Sequence, residues 1–373
     1  MNSPRPITLH LPKRIEIGSG AAARLGTWAA GMSRILVIAQ PVTRAMVGRL
    51  GLSGTVTVFD GVQPEPKDTD LEAALEVARQ VRPDLVVGLG GGSVMDVAKL
   101  VSVLWNSDQT LDDVAGPDKV ASKCAALAQV ATTAGTGSEG GIRALVTSTR
   151  TGMKVAVESP HMAADIAILD PDLTMSVPSA VTAATGVDAL AHAVEAFTNV
   201  RAHPLIDDYA RMGIRLAGRF LRRAVEDGSD AEAREGMLLS SFYGGLCLGP
   251  VNTAAGHALA YPLGTRAGIP HGLSVALLFP DVLAFNAPAR PEKTAEVLDA
   301  LGLPASVDPE TVRASVRAFC QALGIDMSMA AHGVREDQLG DWAIEAHGIR
   351  RLMDNNPRDM SVADVEAIYR ATL

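Results

Sequence analysis

Two hydrophobic rhythms divide this chain. Up to about residue 170, short runs of consecutive aliphatic residues alternate with stretches of helical spacing. Ile35-Leu36-Val37-Ile38-Ala39, Leu85-Val86-Val87-Gly88-Leu89 and Ile166-Ala167-Ile168-Leu169 are such runs; Ala125 to Val130 is a further apolar stretch, Ala-rich and interrupted by Gln129. The three runs are too short for a buried helix and rich enough in branched residues for a buried strand. Between the first and third strand runs, Asp70 to Val81 carries its apolar residues at helical intervals. Strand–helix alternation of this kind predicts a parallel sheet covered by helices.

After Pro178 the rhythm changes. Ala/Leu-rich stretches with a 3.6-residue period run from about Ser179 to the C-terminus, and no convincing strand interrupts them. Gly249-Pro250 and Ile269-Pro270 mark breaks between helices. The expected organisation is an α/β domain over 1–178 followed by an all-α domain over 179–373. No internal repeat or low-complexity segment is evident.

The 373 residues suffice for two domains with sizeable cores. With 47% hydrophobic but only 4% aromatic residues, those cores are built from Ala, Val, Leu and Ile. A net charge of −9 argues against a nucleic-acid partner, which requires a Lys/Arg surplus. Cys124, Cys247 and Cys320 are odd in number, widely spaced and without a CxxC, which fits a reducing compartment. No apolar run is expected to reach membrane-spanning length, and Met1–Pro6 lacks the apolar core of a signal peptide. A soluble cytoplasmic protein is the expectation.

Two glycine-containing loops follow strand runs. Gly88-Leu89-Gly90-Gly91-Gly92-Ser93 opens a candidate helix, and Thr132-Thr133-Ala134-Gly135-Thr136-Gly137-Ser138-Glu139 follows Val130. Consecutive glycines let a ligand approach the backbone, and a helix start offers unpaired N–H groups to a phosphate. The spacing is not the GxGxxG of the usual dinucleotide fingerprint, and a tight strand-to-helix turn would satisfy the first loop alone. Two such loops at strand C-termini of one sheet strengthen the ligand reading, because open sheets bind ligands at that edge.

The helical half holds a different chemistry. Asp188 and His192 in Gly186-Val187-Asp188-Ala189-Leu190-Ala191-His192 lie four residues apart, on one helix face. With His257 and His271 they offer one carboxylate and three imidazoles, a donor set suited to Fe²⁺, Zn²⁺, Co²⁺ or Ni²⁺. The alternative is four unrelated polar residues in an ordinary helical domain.

The chain resembles the iron-containing (group III) alcohol dehydrogenase family. The matching blocks are GGGSVMDVAK (Gly90–Lys99), TTAGTGSE (Thr132–Glu139), TAATGVDALAHAVEAF (Thr182–Phe197), GHALAYPLG (Gly256–Gly264), IPHG (Ile269–Gly272) and NNPR (Asn355–Arg358), in the family's order. The resemblance implies a dehydroquinate synthase-like fold, with an α/β dinucleotide-binding domain, a helical domain and the site in the cleft between. It implies that Gly90, Gly91, Gly92, Ser93 and Asp96 belong to one loop holding NAD or NADP. Thr132, Thr133 and Thr136 would form the other loop, with Lys154 near the cofactor ribose. Asp188, His192, His257 and His271 would be the ligands of a divalent metal, with Fe²⁺ expected and Zn²⁺ as an alternative. The implied activity is hydride transfer between a nicotinamide and a small alcohol or aldehyde, by a homodimer with no nucleic-acid or membrane partner. Two alternatives share the fold: a metal-independent enzyme like maleylacetate reductase, and a lyase of the dehydroquinate synthase type.

Two positions depart from the family pattern. Tyr261 stands four residues after His257, where relatives often carry a second histidine that lines the active site. A phenol, with a reference pKa of about 10, donates hydrogen bonds well but is a poor base near neutrality. Tyr261 is therefore a catalytic candidate or a packed aromatic wall. Gln40 stands at the end of the first strand run, where NAD-preferring relatives often carry an aspartate. That leaves NAD and NADP both open. Arg143 and Arg266 are candidates to favour an acidic substrate, or else are ordinary ion-paired arginines.

Overall fold

The computed structural model describes residues 5–373. They form two compact units, Leu9–Ser176 and Val177–Leu373, the latter joined by the stretch ending at Thr8. Arg5 fastens that stretch to the helical unit by donating to the carbonyls of Arg201 and Pro250.

The first unit is built on a six-stranded, wholly parallel sheet. Its strands are β1 (Ile15–Ile17), β2 (Arg34–Ile38), β3 (Thr55–Phe59), β4 (Leu85–Gly90), β6 (Ala126–Ala131) and β9 (Ile166–Leu169), in the order β1-β9-β6-β4-β2-β3. A smaller sheet pairs β7 (Arg143–Thr147) antiparallel to β8 (Lys154–Glu158), with β5 (Gly116–Pro117) parallel to β8. Successive residues of a strand feed opposite faces. Leu36 and Ile38 join the core made with the Asp68–Val81 and Gly92–Leu104 helices, while Ile35 and Val37 join the one made with Leu25 and Leu50. Both faces are covered, so the central strands are continuous apolar runs.

The four apolar stretches all form strands of this sheet. The elements that sequence pattern alone did not announce are β1, β3 and the β7–β8 hairpin. β1 and β3 are edge strands; β1 alternates exposed with buried positions and β3 is exposed or half-buried throughout, and their pattern is diluted accordingly.

The second unit is helical, and among the described residues no strand follows Leu169. The Ser179–Thr198 helix packs against Pro204–Glu226, Ala231–Leu248 and His271–Asn286, and is buried along most of its length. Pro250 and Pro270 fall between helices, where no N–H is demanded. One expectation needs correction. The apolar segment His271–Ala289 is long and apolar enough to cross a membrane, but 72% of it is buried inside the protein. It is a core helix, and its buried Asp281 is paired with Arg313 at 2.7 Å. All three cysteines are free thiols.

Candidate functional site

The helical unit brings the one carboxylate and three imidazoles together. Asp188 and His192 project from adjacent turns of the Ser179–Thr198 helix, His257 from the first turn of Ala255–Ala267, and His271 opens the His271–Asn286 helix. Their ring nitrogens converge on one oxygen. Asp188 Oδ1 lies 3.3 Å from His257 Nε2, 3.8 Å from His271 Nε2 and 3.9 Å from His192 Nε2. The rings of His192 and His257 stack with centroids 4.4 Å apart, and His271 is 5.4 Å from His257.

The arrangement fits a single ion. Ligand atoms about 2.0–2.2 Å from one metal stand roughly 3–4 Å from each other, as Asp188 Oδ1 does from each of the three Nε2 atoms. Asp188, His192 and His257 each offer a ligand atom within 4.8 Å of the others. Asp188 Oδ1 and His257 Nε2 are buried without a hydrogen-bond partner, although such atoms are normally satisfied. A buried carboxylate oxygen and an imidazole nitrogen 3.3 Å apart, neither with a hydrogen-bond partner among the described residues, are donors suited to a cation.

Local electrostatics agree. Burial works to raise the Asp188 carboxyl, but His192, His271 and His257 together hold it well below the usual carboxylate range. Burial holds His192 down to about 4, so it is a neutral ligand at physiological pH. Burial also pulls His257 down, yet Glu195 and Asp188 on its two sides outweigh it and raise it to about 10.

Glu195 is the residue that sequence reasoning missed. It lies on the same helix as the first two candidates, and its Oε1 is 2.8 Å from His257 Nδ1. Its Oε2 accepts from the Ala254 backbone N–H. By accepting a hydrogen bond from Nδ1–H, Glu195 favours the tautomer whose Nε2 carries the lone pair. A Cβ on Gly256 would come within 2.4 Å of Glu195 Oε1, so glycine leaves room for the carboxylate in this position. The signal was available: Asp188, His192 and Glu195 follow an i, i+4, i+7 spacing on one face. The NNPR block has a related task. The buried Asn355 side chain donates to the Thr253 and Arg351 carbonyls, at 2.8 and 3.0 Å, holding the approach to the His257 helix.

In the sheet unit, Gly90 ends β4 and Gly91 caps the Gly92–Leu104 helix without any side-chain cap. Val94 N and Met95 N donate to Gly91 O, both at 3.1 Å, and no side chain of the cap residue accepts from the helix start. The second loop lies directly against the first. Thr132 N donates to Gly90 O at 3.1 Å, and a Cβ on Gly92 would come within 2.5 Å of Thr136. A Cβ on Gly91 would likewise meet Thr133 Oγ1, at 2.9 Å. Ser93 is half-buried beside them.

Asp96 ties the loops together from below: Oδ1 accepts from Ser138 Oγ at 2.6 Å and Oδ2 from Leu145 N at 2.9 Å. The buried Lys99 ammonium completes the tie to Ser138 Oγ and the Arg143 carbonyl, both at 2.7 Å. Next to them, no other residue hydrogen-bonds to either oxygen of Glu139. Burial pushes this carboxyl up to about 7, offset only in part by its own amide and Lys99.

Comparison with known proteins places the chain in a family. The family model "Iron-containing alcohol dehydrogenase" matches residues 12–171, and "Fe-containing alcohol dehydrogenase family, C-terminal" matches 182–373. This chain belongs to the iron-containing alcohol dehydrogenase family. It is 38% identical to the long-chain-alcohol dehydrogenase 1 of Geobacillus thermodenitrificans (strain NG80-2), over 91% of this chain and 90% of that protein. A 1,3-propanediol oxidoreductase structure superposes with a TM-score of 0.94 at 32% identity, covering 99% of this chain and 100% of that one. The sulfoacetaldehyde reductase from Bifidobacterium kashiwanohense, solved in complex with NAD+, gives 0.89 at 28% identity over 99% of each chain. The chain is thus an alcohol dehydrogenase with the fold of this family.

The remaining candidates of the dehydrogenase fall as follows. Gln40 is half-buried just beyond β2 and starts the short Pro41–Arg44 helix. The nearby Arg44 is paired with Asp60 at 2.8 Å. Lys154, at the start of β8, is paired with Glu65 and largely buried, so it is no solvated surface lysine. Arg143 is paired with Glu158, and Arg266 with Glu345 at 3.0 Å. Tyr261, one turn beyond His257, is buried with its ring centroid 6.2 Å from that of His271. Its hydroxyl accepts from Arg351 Nη2 at 3.0 Å.

Proposed function

We propose that Asp188, His192, His257 and His271 hold one divalent ion, Fe²⁺ by family expectation, and that the two glycine-containing loops hold NAD. The observation that carries this is the convergence of three Nε2 atoms on the orphaned Asp188 Oδ1, at 3.3–3.9 Å. The same donor set accepts Zn²⁺, so ligand type alone does not choose the metal.

When bound, the ion polarises a carbonyl or acidifies an alcohol, and the nicotinamide gives or takes the hydride. The chain's own residues do the rest. Glu195 keeps the His257 proton on Nδ1 and so presents Nε2 to the ion. Burial of Asp188, His192 and His257 keeps water from three of the four ligands. The His271 side chain, 26% exposed, marks the open side where substrate enters. Tyr261 lies beside that side, and its hydroxyl, already bonded from Arg351, is placed to donate to the substrate oxygen.

In the other unit, the uncapped N-terminus of Gly92–Leu104 receives the diphosphate, with Gly90, Gly91, Gly92 and Ser93 leaving room for it. Asp96 holds this loop against the one bearing Thr132, Thr133 and Thr136. Lys154 and Gln40 serve the ribose ends. NAD is preferred over NADP because Arg44, the arginine closest in sequence after Gln40, is already engaged by Asp60.

The test is a stripped-and-reloaded assay. Chelation is expected to abolish NAD-linked turnover of small alcohols and aldehydes, and Fe²⁺ to restore it. Full turnover by metal-free protein would sink the reading and favour a metal-independent reductase.

A further inference from the structure

Beside the candidate metal ligands stands a cation with no anion of its own. Tyr261 lies between it and His271. The guanidinium carbon of Arg351 is 5.5 Å from the Tyr261 ring centroid, and Nη2 donates to the Tyr261 hydroxyl at 3.0 Å. The neighbouring arginines are neutralised. Arg266 is paired with Glu345, and Arg350 with Asp354. Among the described residues, no carboxylate forms an ion pair with Arg351.

Arg351 is exposed, and the backbone that carries it is held in place. Arg351 lies on the short Arg350–Met353 helix, and its carbonyl accepts from the Nδ2 of buried Asn355 at 3.0 Å. That backbone is therefore anchored to the same asparagine that holds Thr253, upstream of His257. Of the five guanidinium donors, the Tyr261 bond uses one. The second Nη2 hydrogen, with Nε or Nη1 beside it, still makes a fork that takes an oxyanion through two parallel hydrogen bonds. A phenol suits this arrangement. Unlike a carboxylate it does not neutralise the guanidinium, and unlike an imidazolium it does not repel it.

We propose that Arg351, oriented by Tyr261, selects substrates that carry an anionic group, such as a carboxylate, sulfonate or phosphonate, a few carbons from the reacting carbon. This rests on the reading of the site as a metal-dependent dehydrogenase. Arg351 is a specificity residue. It binds the far end of the substrate and takes no part in hydride or proton transfer.

The experiment compares a matched pair, 4-oxobutanoate and its methyl ester, as substrates of the iron-loaded enzyme with NADH. The readout is the ratio of their kcat/KM values. The wild type is expected to favour the anion. R351M should lower the ratio by roughly 10- to 100-fold, chiefly through KM, the range for losing a charge-assisted hydrogen bond. R351K should recover part of it, and Y261F should lower it less than R351M does. An unchanged ratio in R351M overturns the proposal, as does a wild type indifferent to the charge or an effect confined to the KM of the coenzyme.

If neither aldehyde turns over, the dehydrogenase reading fails. The anion site is then judged by calorimetric titration of butanoate. Binding at least tenfold weaker to R351M than to wild type supports the site, and equal binding overturns it.

Discussion

The two halves of this enzyme build their candidate sites from different materials. The helical unit uses side chains, three of them buried, each fixed by a helix and one of them held by a further carboxylate. The sheet unit uses backbone: glycines, an uncapped helix start and short hydroxyl side chains. A site made of side chains concentrates its function in a few atoms and fails when one is lost. A site made of backbone spreads its function over many weak contacts, and it degrades by degrees.

The sharpest way to probe that contrast is Glu195. Glutamine offers one acceptor oxygen where His257 Nδ1 and Ala254 N need two. E195Q is expected to weaken metal affinity roughly 10- to 100-fold, the usual consequence of losing a partner behind a metal ligand. A competitive chelator titration measures it. Unchanged affinity would mean that His257 needs no orienting partner and that the helical site is less tightly determined than argued.

A smaller effect is expected in the sheet unit. G92V forces a side chain into Thr136, already 2.5 Å from an ideal Cβ, and pushes the two loops apart. The KM for NAD should rise about tenfold, by analogy with other close backbone–ligand approaches, while metal content stays at the wild-type level. A fall in metal content would break the separation of the two sites.

Glu139 is expected to show itself in stability rather than in either site's affinity. Its folded pKa is raised to about 7, so the folded state holds a proton that the unfolded chain releases nearer 4.5. Stability therefore falls as pH climbs through that window and levels off above it. E139Q removes the penalty, which is on the order of 3 kcal/mol. Its Tm should exceed the wild type's by a few degrees at pH 8 and by little or nothing at pH 4.5. Equal differences at both pH values would show that the buried carboxyl does not titrate in this range.

How much of this was legible in the sequence follows the same division. The central strands were visible because both of their faces are buried, which turns them into unbroken aliphatic runs. β3 and the β7–β8 hairpin were not, because their partial exposure mixes polar residues into the pattern. Asp188 and His192 announced themselves by helical spacing, but their meeting with His257 and His271 depends on three helices converging, which local spacing does not encode. Glu195 shared the face of Asp188 and His192 and could have been found. Arg351 could not, since 90 residues separate it from the tyrosine it touches. The two arginines that did stand out, Arg143 and Arg266, are engaged by carboxylates instead.

The central claim is that four side chains of the helical unit share one iron. Crystals of the iron-loaded enzyme, measured on both sides of the iron absorption edge, test it directly. The account predicts a single anomalous peak about 2.0–2.2 Å from an Asp188 carboxylate oxygen and from the Nε2 atoms of His192, His257 and His271. A fully active crystal with no peak among these four residues, or with the iron bound elsewhere, would contradict it.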